Sequence, residues 1–257
     1  MQPRFLVDRL PAPGKPATLD EGEAHHARKV LRLGPGDRVM ALDGQGGAAW
    51  AEVLPGKEMR LGFVEPARGL VHDEVAPLTL EMAVIKADPY EWAIEKCVEM
   101  GVRRFVPLLT DRTVVKTGAK GPETFQRKWQ KLADQALKQC GRLHRMTVEA
   151  PVELGVHLAR EAATASEPRI WCDEATAGDA AAPHLASLSL PSGARIAIGP
   201  EGGWSEGERT LLGAGAHHHR VRLGPLVLRA DTAALYAASI LHGCWQTGQR
   251  PLDKAAR

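Results

Sequence analysis

Four cysteines, Cys97, Cys140, Cys172 and Cys244, are scattered through this 257-residue chain, and no two stand in a C-x-x-C spacing. That scarcity excludes a disulfide framework and fits reduced cytosolic thiols. No apolar run reaches the length needed to cross a membrane as a helix. The start, Met1-Gln2-Pro3-Arg4-Phe5, lacks the apolar stretch of a signal peptide, so a cytoplasmic protein is expected. Neither the Lys-Ser/Thr ending of a phosphate-cradling loop nor the G-x-G-x-x-G spacing of a dinucleotide fold is present, which argues against nucleoside triphosphates and dinucleotides as ligands. An H-E-x-x-H or Cys/His cluster and a G-x-S-x-G elbow are also missing. His217-His218-His219 does not replace them, because successive strand residues cannot all face one ion. No metal is expected. There is no internal repeat and no heptad run.

Two glycine-punctuated turns stand out instead. Ile198-Gly199-Pro200-Glu201-Gly202-Gly203-Trp204-Ser205 and Leu223-Gly224-Pro225-Leu226-Val227-Leu228-Arg229 lie one strand–turn–helix unit apart. Glycine admits positive φ and lets a ligand approach the backbone without meeting a Cβ. Two such turns, each ending a strand, can surround a small ligand with backbone donors and acceptors.

The net charge of +2 becomes informative once it is localised. Arg112 to Arg145 holds nine Lys or Arg against two acids, Glu123 and Asp134. A smaller basic cluster occupies His25-His26-Ala27-Arg28-Lys29-Val30-Leu31-Arg32. Two basic patches in separate regions fit a nucleic-acid partner whose phosphates need neutralising.

Residues 1 to about 70 read as short β elements, Val39–Leu42, Ala49–Val53 and Arg60–Val64, with a hairpin signal at Asp43-Gly44-Gln45-Gly46-Gly47. Their spacing suggests a small barrel, interrupted by one helix over Glu23–Arg32 that Gly34-Pro35 stops. Around Gly69–Pro77 the pattern changes to strand–helix alternation. Strands are expected at Leu78–Val84, Val102–Leu109, Arg169–Cys172, Ala194–Ile198 and His219–Leu223. Helices are expected at Trp92–Met100, Pro122–Cys140, from the Ser205/Glu208 capping box to about Ala216, and from Asp231-Thr232 onward. An Ala-rich stretch over 175–187 is either helix or loop. This alternation predicts a mostly parallel sheet with helices on both faces, and both glycine turns fall at carboxyl ends of strands, where such sheets bind ligands.

Read together, Ile-Gly-Pro-Glu-Gly-Gly-Trp-Ser at 198–205 and Leu-Gly-Pro-x-x-Leu-Arg-x-Asp-Thr-Ala at 223–233 resemble the SPOUT-class methyltransferases. More narrowly, the chain resembles the bacterial small-subunit (16S) ribosomal RNA uridine-N3 methyltransferase family. Glu95–Val102, Gln139-Cys140-Gly141-Arg142 and the segment from His25-His26 through Val30-Leu31-Arg32-Leu33 fit the same family in the expected order. The resemblance implies an α/β SPOUT-type methyltransferase domain with a C-terminal trefoil knot over residues 73–257, and a small N-terminal PUA-like β-barrel that binds RNA over residues 1–72. It also implies S-adenosylmethionine as methyl donor, a homodimer, and small-subunit ribosomal RNA or the assembled subunit as substrate.

Carried over by position, Gly199, Pro200, Glu201, Gly202 and Gly203 line the donor pocket from the first turn, and Leu223, Gly224, Leu226 and Leu228 from the second. Cys172, ending the preceding strand, is a further candidate for that pocket or a buried small residue. Arg229 is expected at the methyl-transfer site, gripping phosphate or stabilising negative charge on uracil. Asp231 is either a general base or an acid of a helix's first turn. The family's common Arg-Thr-Glu-Thr is here Arg229-Ala230-Asp231-Thr232, a carboxylate one methylene shorter. For RNA contact the candidates are Arg28, Lys29, Arg32, Arg112 and Arg142. The competing readings are a non-catalytic RNA-binding assembly factor and a related methyltransferase acting on another RNA.

Overall fold

A computed structural model describes residues 2–68, 77–113, 121–162, 167–176, 183–188, 193–215 and 217–249. The expected change of pattern near residue 72 and much of the Ala-rich stretch, 177–182, lie outside the described residues. The chain divides into two units. One comprises Met1–Glu74 with Asp134–Arg145, the other Val75–Ala133 with Met146–Arg257.

The first unit is a five-stranded sheet built from β1 (Arg4–Leu6), β2 (Ala17–Thr18), β3 (Arg38–Leu42), β4 (Ala48–Val53) and β5 (Arg60–Pro66), in the order β1-β3-β4-β5-β2. The β3–β4 hairpin closes where the sequence indicates. Asp43 Oδ1 accepts from the Gln45 and Gly47 amides at 2.8 and 2.9 Å, while Gly44 and Gly46 take φ of 69° and 99°. Alternate residues of these strands, among them Phe5, Val39, Ala41, Ala51, Val53 and Leu61, form one buried core. The helix expected over Glu23–Arg32 is different. Asp20 caps a short α1 (Glu21–His25), which passes into a π-helical turn over His26–Val30. The segment 134–145 belongs to this unit through specific bonds: Arg4 Nη1 donates to the Lys138 and Gln139 carbonyls at 2.8 and 3.1 Å, and Lys138 pairs with Glu23.

The second unit holds β6 (Leu78–Ala83), α2 (Ala87–Glu99), β7 (Arg104–Leu109), α3 (Pro122–Cys140, whose last turns belong to the first unit), β8 (Thr147–Val148), β9 (Val152–Glu153), α4 (Leu154–Glu161), β10 (Arg169–Cys172), β11 (Ala194–Ile198), α5 (Glu206–Gly213), β12 (His218–Val221) and α6 (Ala230–Gln249). The strands run β12-β10-β11-β6-β7-β8, with β9 also on β7, and every pairing is parallel. β6, β10 and β11 are buried along their whole length, as strands covered on both faces must be. Period-two alternation divides the packing. Val106, Leu108, Trp171 and Ala197 meet Leu154 of α4 and Leu212 of α5, while Phe105 faces the other way onto Tyr90 of α2, with ring centroids 5.7 Å apart. Trp129 of α3 meets Tyr90 with the ring planes tilted 59° and centroids 4.9 Å apart, and α6 packs on β6 and β11.

A charged row crosses this sheet. Register aligns His218, Arg169, Arg195, Thr79 and Arg104 on adjacent strands. Arg169 is bidentate to the wholly buried Glu81, at 2.8 and 3.0 Å, and Glu81 also accepts from His157 Nε2 at 2.9 Å. Burial alone would raise the Glu81 carboxyl. The hydrogen bonds from His157 and Arg169 outweigh it and bring the group down to about 2. Glu161 meets Arg104 at 3.0 Å and Arg195 at 3.3 Å.

Candidate functional site

β10, β11 and β12 end side by side, because register pairs Cys172 with both Ile198 and Val221. Beyond those ends lies a cavity of ≈ 230 Å³. Its lining comes from the ends of β10 and β11 (Cys172, Asp173, Glu174, Ile198), the first glycine turn (Gly199, Pro200, Glu201, Gly203), the second (Leu223, Gly224, Leu226, Val227, Leu228) and the start of α6 (Arg229, Ala230, Ala233). The two turns singled out in the sequence therefore meet around one space, at the carboxyl edge where parallel sheets hold ligands.

The first turn is held rigidly. Gly203 N–H donates to the Pro200 carbonyl at 2.9 Å, and Gly203 takes φ of 70°. Trp204 lies wholly buried beneath, its Nε1–H donating to the Cys172 carbonyl at 2.9 Å, so one indole ties the end of β10 to the turn after β11. A Cβ on Gly199 would meet that indole at 3.1 Å, so this glycine's missing side chain makes room for Trp204. Gly202 lies outside the lining. Its carbonyl accepts from Arg112 Nη1 at 2.6 Å. The capping box is complete: Ser205 Oγ accepts from Glu208 N–H at 3.2 Å and Glu208 Oε2 from Ser205 N–H at 2.8 Å.

The second turn is looser at its tip, with Leu226 73% and Val227 68% exposed. Its root is fixed by Arg222, whose amide donates to the Pro183 carbonyl at 3.1 Å, and by His184 Nε2, which donates to the Leu223 carbonyl at 3.1 Å. A Cβ on Gly224 would find nothing within 4 Å. Arg229 is exposed on the lining and its carbonyl accepts from Ala233 N–H at 2.8 Å, which places it at the start of α6. Asp231 is outside the lining, in the first turn of α6, where its Oδ1 accepts from Thr232 N–H at 2.9 Å.

Burial pushes the Cys172 thiol up to about 12, with the charge of Asp173 adding to the effect. It stays protonated and is no nucleophile. Asp173 and Glu174 line the cavity although the sequence reading did not single them out. Burial would raise Asp173, but hydrogen bonds from Arg209, Ala175 N–H and Arg220 hold it below its ordinary value. Glu174 is raised by burial and by the neighbouring Asp173, and accepts from Arg209 Nη2 at 2.7 Å. Their position immediately after a strand of a parallel sheet was the available signal. Among the RNA candidates, Arg28, Lys29 and Arg32 are exposed in the first unit and Arg112 is exposed in the second. Arg142 is only 5% exposed, which removes it from any surface that phosphates can reach.

Residues 72–242 match the family described as RNA methyltransferase domain, and residues 19–58 match the RNA methyltransferase PUA domain. The ribosomal RNA small subunit methyltransferase E of Mycobacterium bovis is 32% identical over 257 aligned positions, covering 94% of this chain and 92% of that protein. The chain belongs to the ribosomal RNA small subunit methyltransferase E family. Solved structures agree on the fold. The family's protein from Neisseria gonorrhoeae, bound to S-adenosyl methionine, is 23% identical with a TM-score of 0.82, covering 95% of this chain and 98% of that one. A protein from Legionella pneumophila, in complex with the cofactor SAM, is 25% identical with a TM-score of 0.78 and the same coverage, 95% and 98%. The fold is thus the α/β methyltransferase fold with a PUA-like domain.

Proposed function

We propose that this chain uses S-adenosylmethionine to methylate N3 of a uridine in small-subunit ribosomal RNA. The observation that carries the reading is the convergence of both family turns on one cavity, together with membership of the methyltransferase E family. The lining suits the donor. Backbone groups of Gly199–Gly203 and Leu223–Leu228 offer donors and acceptors to adenine's edges, Leu223 and Leu228 offer apolar surface, and Gly224 leaves the space a ligand needs. When bound, the donor supplies an electrophilic methyl group.

The protein's task is to make N3 nucleophilic. That nitrogen carries a proton and lies on the pairing edge, so the base must be unpaired before it can react. Arg229, exposed on the lining at the positive end of α6, favours the deprotonated uracil electrostatically, and the proton passes to water. Asp231, bonded to Thr232 N–H, serves the first turn of α6. Transfer is direct from the donor to N3, a reading supported by the burial of Cys172, the cysteine on the cavity lining, which disfavours its thiolate.

Three further readings complete the proposal. The C-terminal region forms a trefoil knot, which is consistent with Pro183–Leu188, on the path from β10 to β11, bonding to Arg222 and Leu223 while α6 packs on β6 and β11. A second copy of the chain covers the exposed Leu226 and Val227 beside the cavity, and a dimer in sedimentation is the direct check. Residues 1–72 with Arg28, Lys29 and Arg32 bind the RNA, and Arg112 adds a contact from the second unit. Incubation with unmodified small-subunit ribosomal RNA and donor, followed by nucleoside mass spectrometry, should yield N3-methyluridine. A methyl group on ribose or on another base would contradict the assignment.

A further inference from the structure

Arg28–Arg32 is a run of five exposed residues in the first unit, and two of them are apolar, with Val30 62% and Leu31 38% exposed. The backbone that presents them is unusual. The π-helical turn over His26–Val30 is closed by Leu31 N–H donating to the His26 carbonyl at 3.0 Å, and Leu33 N–H reaches back to the Ala27 carbonyl at 2.9 Å. Between them Arg32 takes φ of 55°, the one positive value at a non-glycine position among the described residues. A bond reaching back around a left-handed residue, from a leucine packed on the core, is a helix C-cap of the kind in which glycine is the usual occupant. An arginine is strained there and a glycine is not. The position therefore sacrifices backbone comfort for a side chain, and that side chain is a cation with no carboxylate partner among the described residues.

π-turns and strained residues concentrate where a surface is used. Here the turn sets two aliphatic side chains among three cations: Arg28, whose guanidinium also donates to the Lys57 carbonyl, Lys29 and Arg32. Paired RNA hides its base faces and offers phosphates and hydroxyls, whereas an unpaired nucleotide offers an apolar face beside its phosphates. We propose that Val30 and Leu31 seat an unpaired nucleotide of the RNA while Lys29 and Arg32 hold the adjacent phosphates. This rests on the RNA methyltransferase reading and adds to it a preference for unpaired structure built into the first unit.

The test is fluorescence anisotropy of the full chain with two RNA hairpins, one carrying a bulged uridine and one fully paired. The double substitution V30S/L31S should weaken binding to the bulged hairpin about tenfold, as expected for losing partial burial of two aliphatic groups. It should leave the paired hairpin, the salt dependence and the melting temperature nearly unchanged. Arg32→Gly should keep or raise the melting temperature while the slope of log affinity against log salt falls by roughly 0.7 to 0.9, one phosphate contact. Equal binding of the bulged hairpin by wild type and V30S/L31S would overturn the inference and leave the methyltransferase reading standing. So would a lower melting temperature in Arg32→Gly, which marks the arginine as structural. Failure of the wild type to bind either hairpin would remove the RNA reading itself.

Discussion

Gly203 and Gly224 both line the cavity, yet a methyl group added to each would meet opposite surroundings. At Gly203 the φ of 70° already disfavours a side chain, and a Cβ would lie 2.0 Å from Glu174 Oε1. At Gly224 the same atom would enter open space. Gly203→Ala should therefore lose about 2 kcal/mol in urea unfolding, from backbone strain and displacement of Glu174. Gly224→Ala should stay within about 0.5 kcal/mol of wild type, and equal losses at the two positions would contradict this account of the turns. The sequence marks both residues as turn glycines without separating their tasks, because a glycine's purpose depends on what its missing Cβ would touch. Gly199 makes the same point, since its vacancy is filled from below by Trp204. Arg142 was illegible for a related reason. A local count of charges cannot tell an exposed guanidinium from one that is 5% exposed.

Elements with strong end signals were readable. α3 begins at Pro122 and stops before Gly141, whose φ is 83°, and β10 and β11 coincide with their apolar runs. The helix expected at Glu23–Arg32 is present over 21–30, but its tail was not legible, being a π-turn and a left-handed arginine that no propensity rule anticipates. β8, β9 and α4 also escaped notice, being too short to show a period. The largest surprise is Glu81, an acid in the middle of β6 whose partners Arg169 and His157 are distant in sequence. Its carboxyl falls from 4.5 to about 2 on folding. A depressed carboxylate contributes stability in full above its unfolded value and loses it as pH drops through the folded one. Glu81→Gln should thus cost about 3 kcal/mol at neutral pH by stranding Arg169. The gap from wild type should narrow between pH 4.5 and about 2 in urea unfolding. A gap independent of pH would show that the loss comes from packing instead of charge.

For the whole molecule, the net charge of +2 conceals its organisation. Lys29 and Arg32 of the first unit are exposed with no carboxylate partner among the described residues, whereas in the sheet of the second unit the arginines are paired with Glu81, Glu149 and Glu161. In the proposed reading the first unit's charge meets RNA, whereas in the second unit charge pairs across strands of the sheet. The site itself was legible because glycine and proline punctuate the two turns in sequence order. Its acids, Asp173 and Glu174, carry only the weaker signal of their place just after β10, and the burial of Asp173 at 4% exposure depends on partners distant in sequence. The central claim is that the cavity at the ends of β10, β11 and β12 holds the methyl donor. Calorimetric titration with S-adenosylmethionine, on wild type and on Gly224→Val, tests it most directly. The account predicts saturable binding by the wild type and at least tenfold weaker binding by the variant at an unchanged melting temperature, because the added side chain projects into open space. Absence of binding by the wild type, or equal affinity in the two proteins, would contradict it.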